Sequence, residues 1–308
     1  MIHEEIPPAL DGERLDRVVS LLADVTRTVA AQLVADGHVS LDGEPSVIGK
    51  LRLRAGQSIE IDETAIALAP LPQAEPSVPC NIVYDDSDVI VVNKPVGQVV
   101  HPGAGNPNGT LVNGLLARYP EIASVGEAAR PGIVHRLDIG TSGLLVVART
   151  ARAYEVLVDA LSHRDVVREY LTLVWGQPES SNGVIDAPIG RDPRDPLKMA
   201  VVAGGRASRT RFEVVERFGR PKVSLLRCRL ETGRTHQIRV HLEGAGFPVV
   251  GDATYGGARS QIRLARPFLH AAHLEFDHPV TGQHLGFDAP LPDDLQRIIE
   301  GLHSGEIS

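Results

Sequence analysis

The sequence predicts an α+β protein in which a small amino-terminal domain precedes a larger domain built on a mixed, largely antiparallel sheet. The first observation is length, because 308 residues exceed the usual size of one domain. The second is the segment "IALAPLPQAEPSVP", in which four prolines within ten residues separate two regions of different character. The third is that strand-like segments after these prolines outnumber helical ones and do not alternate with them regularly, which disfavours a doubly wound nucleotide fold.

The amino-terminal region has the patterns of a compact α/β module. From Arg14 to Ala35 apolar residues recur at steps of three and four, which predicts two short helices with a break near Asp24. The segments "GHVSLDG" and "QSIEIDE" then predict short strands closed by turns. We therefore place the first domain at residues 1–66, a linker at 67–79 and the second domain at 80–308.

The second region contains the longer apolar runs. Two of them predict buried strands, "DVIVVNKP" and "GLLVVART". Two segments with helical periodicity predict helices, "TLVNGLLARYP" and "ARAYEVLVDALSH". Further strands are predicted at "REYLTLVWG", "TRFEVVERF", "KVSLLRCRLE" and "HLEFDHP".

The composition excludes several classes of protein. With 43% hydrophobic and 23% charged residues the chain is neither disordered nor fibrous. Cys80 and Cys228 lie far apart and form no CxxC pair, so neither a disulfide framework nor a cysteine metal site is indicated. The sequence begins without a signal peptide and contains no run long enough for a membrane helix, so we expect a soluble, cytoplasmic protein with no membrane partner.

The net charge of −8 is unevenly distributed along the chain. Residues 1–80 contain 6 basic and 13 acidic side chains, and residues 275–308 contain 1 and 7. Residues 201–245, in contrast, contain 10 basic and 4 acidic side chains. Positive charge therefore gathers in the central part of the chain, where an anionic partner could bind.

Two motifs have ordinary structural explanations. The glycine-rich "PGAGNPNGT" matches neither GxGxxG nor a phosphate loop, and we expect a rigid surface loop. His236 with His241, and His270 with His273, lack the spacing and the cysteine neighbours of a zinc site. We expect hydrogen bonding for these histidines and no metal.

The segment "HRLDIGTSGLLVVART" places Asp138 between Arg136 and a Gly-Thr-Ser-Gly turn. The acid could simply accept hydrogen bonds from turn amides, but this leaves Arg136 unexplained. The segment "RCRLETGRTHQIRVHL" contains four arginines, including Arg234 and Arg239. They could form a solvated face or bind phosphate, and a buried one would need an acid partner, for which Asp138 is a candidate.

Four segments, in this order, resemble the conserved blocks of the RluA/RluD family of pseudouridine synthases: "VNKPVGQVVHPGAGNPNGTLVNGLL", "RPGIVHRLDIGTSGLLVVART", "REYLTLVWG" and "LETGRTHQIRVHLEGAGFPVVGDATYG". The likeness spans roughly residues 80–290, and the first seventy residues resemble an S4 RNA-binding domain. The string "HPGAGNPNGT" is most similar to the RluD branch, which modifies 23S rRNA. The resemblance implies a pseudouridine synthase fold and a cofactor-free, metal-free isomerisation of uridine in RNA by a monomer.

The resemblance also implies roles for individual residues. The family's catalytic aspartate falls on Asp138, its active-site tyrosine on Tyr170 and the basic partner of the aspartate on Arg234. Arg136 matches the arginine that displaces the target base. The same blocks supply our other candidates for substrate contacts: His135, Thr141, Thr235, His236 and Gln237. In the S4-like domain the candidate RNA contacts are Arg14, Arg17 and Arg27, although this region is acidic.

Three alternatives stay open at this point. The RNA target could be another 23S uridine or a tRNA uridine. The protein could be a non-catalytic RNA-binding factor of ribosome assembly, in which case Asp138 would be dispensable. A glycoside hydrolase would need a second carboxylate about 5–10 Å from Asp138, where the sequence blocks supply arginine instead. The chemical route of Asp138 is also open among attack on the sugar, attack on the base and formation of a glycal.

Overall fold

The computed structural model describes residues 1–307 except 24, 26, 66–70, 103–105, 194, 196 and 197, and for residue 28 the backbone only. The chain divides into two compact units, Met1–Leu71 and Pro72–Ser308. Part of the predicted linker lies outside the described residues. Its later part belongs to the second unit, because the Glu75 amide donates to the Asn113 carbonyl (2.9 Å) and Asn113 Nδ2 donates to the Gln73 carbonyl (2.7 Å). The second unit thus begins earlier than residue 80, which was the predicted start of the second domain.

The first unit packs two helices on a four-stranded antiparallel sheet. Its elements are β1 (Ile2–Glu5), α1 (Leu15–Leu22), α2 (Arg27–Ala35), β2 (Val39–Leu41), β3 (Glu44–Pro45) and β4 (Ser58–Ile61). The strand order is β1-β4-β2-β3. Apolar residues at helical spacing in α1 bury against alternate residues of β4, Ile59 and Ile61, so that one core joins helices and sheet.

The second unit is organised around a large mixed sheet. Its strands are β5 (Ile82–Asp85), β6 (Val89–Lys94), β7 (Ser142–Ala148), β8 (Val167–Trp175), β9 (Asn182–Asp186), β12 (Arg209–Phe218), β13 (Val223–Leu230), β14 (Leu269–Asp277) and β15 (His284–Asp288), with a separate hairpin of β10 (Ile189–Arg191) and β11 (Met199–Val201). Within the described residues the order is β5-β6-β7-β14-β8-β13-β12-β9, and β15 pairs with β14. Among the strand pairs that the structure describes in this sheet, only β7–β14 is parallel, so the predicted mixed and largely antiparallel architecture is confirmed.

Helices cover both faces of this sheet: α3 (Leu111–Arg118), α4 (Ala151–His163), α5 (Gln237–Gly244) and α6 (Asp293–Ser304). Along β6, Ile90 and Val92 pack into the core with α3, α5 and α6, whereas Val89 and Val91 pack into the core with α4. Because both faces are covered, β6 and β7 are continuous apolar runs without polar alternation.

Most of the predicted elements are present, and the additional ones are short or half-exposed. The two helices of the first unit, the two buried strands, α3, α4 and the strands β8, β12, β13 and β14 lie where the sequence predicted them. The elements not predicted are β1, β3, β5, β9, β10, β11, β15 and α6. In β9 and β15 inward and exposed positions alternate with few apolar residues, so the periodic signal is weak. In the part of the chain that the structure describes, no helix combines the length and apolarity needed to span a bilayer.

Candidate active site

Asp138 lies in the loop that leads into the central strand β7. The loop is fixed by two backbone hydrogen bonds, from the Thr141 amide to the Asp138 carbonyl (3.0 Å) and from the Gly97 amide to the Ile139 carbonyl (2.8 Å). The Asp138 side chain remains 17% exposed and lines a small cavity of about 40 Å³. The loop therefore presents a carboxylate to a narrow opening beside the sheet.

A buried arginine of α5 holds this carboxylate. Arg239 Nη1 donates to Asp138 Oδ2 (3.1 Å), while its Nε and Nη2 donate to the buried Asp252 at 2.6 and 3.0 Å. Asp252 also accepts from the backbone amides of Thr254 (3.0 Å) and Tyr255 (3.2 Å). The arginine is thus fixed on one side and directs its remaining nitrogen to Asp138 in a charge-assisted hydrogen bond.

Burial and ion pairing act in opposite directions on Arg239. Burial lowers the pKa of Arg239, but the hydrogen bond to Asp252 and the charge of Asp138 outweigh it and raise the pKa above the ordinary value. The residue is buried because α5 is enclosed from Gln237 to Leu242. A guanidinium in such a helix requires acid partners, and it has two.

The predicted pairing of Asp138 with Arg234 is wrong. Arg234 lies in the turn before α5, where its Nε is 3.4 Å from the Ala207 carbonyl, and in the described part of the chain it forms no ion pair with an acid. Burial and then the neighbouring Arg206 charge lower the pKa of Arg234. The turn stays at the surface while α5 enters the core, so the arginine five residues later reaches Asp138. Arg234 nevertheless lines the same cavity.

Tyr170 lies beside Asp138, as the resemblance implied. It occupies an inward position of β8 and is 4% exposed. Burial raises the pKa of Tyr170 to about 12, with Arg168 opposing this shift and the charge of Asp138 adding to it. Its phenol is therefore protonated at neutral pH, and the residue lines the cavity beside Asp138.

The other candidate substrate contacts fall into two groups. The cavity of Asp138 is lined by Arg136, Thr141 and His236. Thr235 is exposed and lines a larger groove next to this cavity, which is described below. Gln237 is only 3% exposed and its side chain is used within the protein. It accepts from Thr232 Oγ1 (2.7 Å) and donates to Thr210 Oγ1 (3.0 Å), so it fixes the turn before α5.

His135 is a further candidate with an internal partner. Its Nε2 accepts a hydrogen bond from the Val146 amide (3.1 Å), which leaves the ring proton on Nδ1. Burial and the charge of Arg168 lower the pKa of His135 to about 3, so the ring is neutral. Nδ1 is enclosed and has no protein partner among the described residues.

Sequence reasoning missed the buried Lys94 at the end of β6. Its Nζ donates to the carbonyls of Pro95 and Gln98, both at 2.9 Å. Burial lowers the pKa of Lys94 to about 7, and the charge of Asp138 opposes this shift. The signal was available, because the lysine two positions after the four buried apolar residues of "VIVVNK" still belongs to a strand that is enclosed on both faces.

A groove of about 700 Å³ leads away from Asp138 and Tyr170. Its lining includes five arginines: Arg130, Arg136, Arg164, Arg168 and Arg234. Glu127 pairs with Arg130, and Glu231 pairs with Arg164 at 2.9 Å. The other three form no ion pair with an acid in the described residues, so the groove keeps uncompensated positive charge next to the Asp138 cavity.

The three arginines predicted to bind RNA in the first unit are engaged by acids. Asp16 is contacted by Arg14 and, at 3.1 Å, by Arg27. Arg17 contacts Glu13 at 2.9 Å. Their charge is therefore largely compensated within the unit, and their part in RNA binding stays a prediction.

The histidines considered for zinc form hydrogen bonds, as expected. His241 contacts Thr210 Oγ1 and the Ala187 carbonyl, and His270 contacts Ser142 Oγ and the Ala289 carbonyl. Elsewhere among the described residues, one group of metal-type ligands comes together: Asp86, Asp88 and His278.

Hydrogen bonds already use His278 of this group. Its Nδ1 accepts from the amides of Val280 (3.2 Å) and Thr281 (3.1 Å), so its Nε2 carries the proton and donates to Asp86 (3.0 Å). The group is thus a hydrogen-bonded turn in which His278 has no free lone pair for a metal.

Comparisons with known proteins agree with this geometry. The RNA pseudouridylate synthase family pattern matches residues 88–244, which include Asp138, Tyr170, Arg234 and Arg239, and the S4 domain pattern matches residues 13–59. The chain is 49% identical over 307 residues to an RNA pseudouridine synthase of Chloroflexus aurantiacus, covering 96% of this chain and 92% of that protein. It is 45% identical over 311 residues to the ribosomal large subunit pseudouridine synthase D of Xanthomonas campestris pv. campestris, covering 96% and 91%. The solved structure of human RNA pseudouridylate synthase domain containing 1 superposes with a TM-score of 0.55 at 28% identity, covering 74% of this chain and 96% of that chain.

Proposed function

Because the chain belongs to the RNA pseudouridylate synthase family, we propose that it isomerises specific uridines to pseudouridine in 23S rRNA of the large ribosomal subunit. The observation that carries this proposal is the carboxylate of Asp138, which Arg239 fixes at 3.1 Å at the end of an arginine-lined groove. The groove suits a polyanion, and the cavity at its end holds the carboxylate that a base would meet. The relatives named for the large ribosomal subunit supply the RNA target.

The isomerisation needs no external reactant. The N-glycosidic bond of uridine is cleaved, the base turns, and its C5 joins the sugar carbon, while the proton lost from C5 is balanced by the proton gained at N1. Attack by Asp138 on the sugar, attack on the base and glycal formation all begin with an ionised carboxylate. Arg239 donates a charge-assisted hydrogen bond to the Asp138 carboxylate, and Asp252 keeps the guanidinium in position.

The neighbouring residues support removal of the base from its stack. Extrusion of a nucleotide costs a few kcal/mol. Stacking on the ring of Tyr170 contributes about 1–3 kcal/mol in the opposite direction. Arg136 is exposed at the mouth of the cavity and is free to enter the space that the base leaves. Thr141 and His236 line the cavity and are placed to contact the base or sugar.

We propose further that the protein acts as a cytoplasmic monomer without a metal or cofactor, because uridine isomerisation requires no redox or Lewis-acid step. Light scattering of the purified protein should give the mass of one 33.1 kDa chain. Turnover should persist after dialysis against a chelator. A mass of two chains or a loss of turnover that zinc restores would contradict this proposal.

The reaction itself can be tested on 23S rRNA from cells that lack the gene, with tRNA from the same cells as a second substrate. Carbodiimide mapping after incubation should reveal new pseudouridines in 23S rRNA and none in tRNA. Asp138→Asn should abolish them while RNA binding persists. Asp165→Asn is a matched control, because Asp165 is exposed and outside the cavity. If Asp138→Asn modifies RNA at the parent rate, the assignment of Asp138 is wrong, and a protein that binds without modifying is the binding factor considered above.

A further inference from the structure

Arg168 is a buried arginine that has no acid partner in the described part of the chain. Among the described residues three arginines are buried: Arg168 and Arg266 are each 6% exposed and Arg239 is 7% exposed. Arg239 is paired with Asp138 and Asp252, and Arg266 with Asp294 at 2.6 Å. Arg168 forms no comparable pair within the described residues, and its Nε is enclosed without a hydrogen-bond partner. The charge of Arg168 is therefore not compensated by an acid of the described chain, in contrast to the charges of Arg239 and Arg266.

An unpaired buried cation is energetically unfavourable. Transfer of an ion from water to a protein interior costs several kcal/mol unless a counter-ion or a set of acceptors compensates. Burial lowers the pKa of Arg168, yet a guanidinium stays protonated in proteins. A residue of this kind is better explained by an anion that binds to it than by a contribution to folding.

The location of Arg168 indicates which anion. Arg168 and Tyr170 occupy successive inward positions of β8, so their side chains leave the strand about 7 Å apart on the same face. Both line the groove that opens from the Asp138 cavity. A Cβ on Gly233 would stand 3.1 Å from Arg168 Nη1, so the guanidinium lies directly against the turn before α5.

The acids of the groove are already engaged elsewhere. Glu231 contacts Arg164 at 2.9 Å, Arg209 at 3.5 Å and Arg211, and Glu127 contacts Arg130. The third acid of the lining, Asp138, contacts Arg239 at 3.1 Å. None of the three forms an ion pair with Arg168 within the described residues. The nearby His135 adds a second enclosed donor without a partner, its Nδ1–H. The uncompensated guanidinium in the lining leaves this end of the groove complementary to an anionic acceptor.

We propose that Arg168 binds a backbone phosphate of the RNA next to the target uridine, which rests on the proposed function. A uridine that enters the Asp138 cavity must carry its flanking phosphates into the groove, because the base is extruded together with its backbone. The planar donor fork of arginine matches two phosphate oxygens, and the phosphate supplies the missing counter-charge. Arg168 thereby fixes the backbone while Tyr170 contacts the base.

The first test compares the salt dependence of binding to unmodified 23S rRNA for the parent, Arg168→Met and Arg168→Lys. Arg168→Met should bind roughly 10- to 100-fold more weakly. The slope of log K against log salt should fall by about one phosphate contact, and Arg168→Lys should keep most of that slope. Arg297→Met is the matched control, because Arg297 is exposed on α6 and does not line the groove, and it should bind like the parent.

Thermal unfolding separates this role from a structural one. Because Met removes an uncompensated charge from a buried position, Arg168→Met should unfold at the parent temperature or above it. A structural arginine would behave in the opposite way. A fall of several degrees together with an unchanged salt slope would overturn the proposal.

The second test removes single phosphate charges from a synthetic stem-loop that carries the mapped uridine. A methylphosphonate at the linkage that Arg168 contacts should weaken the parent and have little further effect on Arg168→Met, whereas at distant linkages the two effects should add. Additive effects at every linkage near the uridine would overturn the proposal. If the parent forms pseudouridine but Arg168→Met keeps the parent salt slope, the phosphate site fails and the function stands. If the salt slope falls as expected but the parent forms no pseudouridine in any RNA, the function fails and the anion site stands.

Discussion

Asp252 should be essential for both the stability of the second unit and the position of Arg239. It is completely buried and accepts four hydrogen bonds, two from Arg239 and two from backbone amides. Asp252→Ala would leave the Arg239 guanidinium buried with Asp138 as its remaining acid. Removal of one partner of a buried ion pair costs about 3–5 kcal/mol. For a domain of this size each kcal/mol lowers the midpoint temperature by about 2–4 °C, so we expect a decrease of roughly 6–20 °C.

Calorimetry or circular dichroism of the full chain measures this effect, with Asp165→Ala as an exposed control that should leave the midpoint unchanged. Asp252→Asn keeps an acceptor oxygen and the side-chain shape, so its loss of stability should be smaller. At a temperature where both variants are folded, pseudouridine formation should fall about 100-fold, because Arg239 no longer directs Nη1 to Asp138. An Asp252→Ala variant with the parent midpoint and the parent turnover would refute the triad of Asp138, Arg239 and Asp252 as the basis of the site.

Two further predictions concern Lys94 and the first unit. Burial lowers the pKa of Lys94 from 10.5 to about 7, so between these values the unfolded chain binds more protons than the folded chain. The parent should therefore gain stability relative to Lys94→Met as the pH increases from 7 to 10, seen as a growing difference between their midpoint temperatures. A difference that stays constant over this pH range would contradict the prediction. Arg17→Ala removes an exposed pair with Glu13, so unfolding should change by about 0.5 kcal/mol or less and affinity for 23S rRNA by less than twofold. A tenfold loss of affinity in a filter-binding assay would instead assign a direct RNA contact to Arg17.

The elements that the sequence predicted are those whose burial can be inferred from their own residues. β6 and β7 are enclosed on both faces, and an uninterrupted apolar run reports this directly. The helix α5 has no continuous apolar face in the sequence, because its buried residues include Gln237, Arg239 and His241. Arg239 and His241 find partners far away in the chain, Asp138 and the Ala187 carbonyl, and no local pattern encodes those partners.

The site was predicted in its residue types and missed in one pairing. Asp138 and Tyr170 line one cavity as expected. Which arginine meets Asp138 depends on where the turn ends and α5 begins, a matter of three-dimensional packing. The apolar residues on either side of Arg239, Ile238 and Val240, were the available signal that it is buried. Likewise, the period of two along "REYL" places Arg168 and Tyr170 on one face, which local reasoning could have recognised.

The distribution of ion pairs explains how an acidic chain can bind RNA. The net charge of −8 is the sum over the whole chain, whereas RNA binding depends on the local charge, which is positive where arginines have no acid partner. In the first unit Asp16 and Glu13 compensate the candidate arginines. In the groove of the second unit the acids pair with peripheral arginines, and Arg136, Arg168 and Arg234 have no acid partner among the described residues. Positive potential is therefore concentrated where the uridine must enter, in the same groove that Asp138 lines.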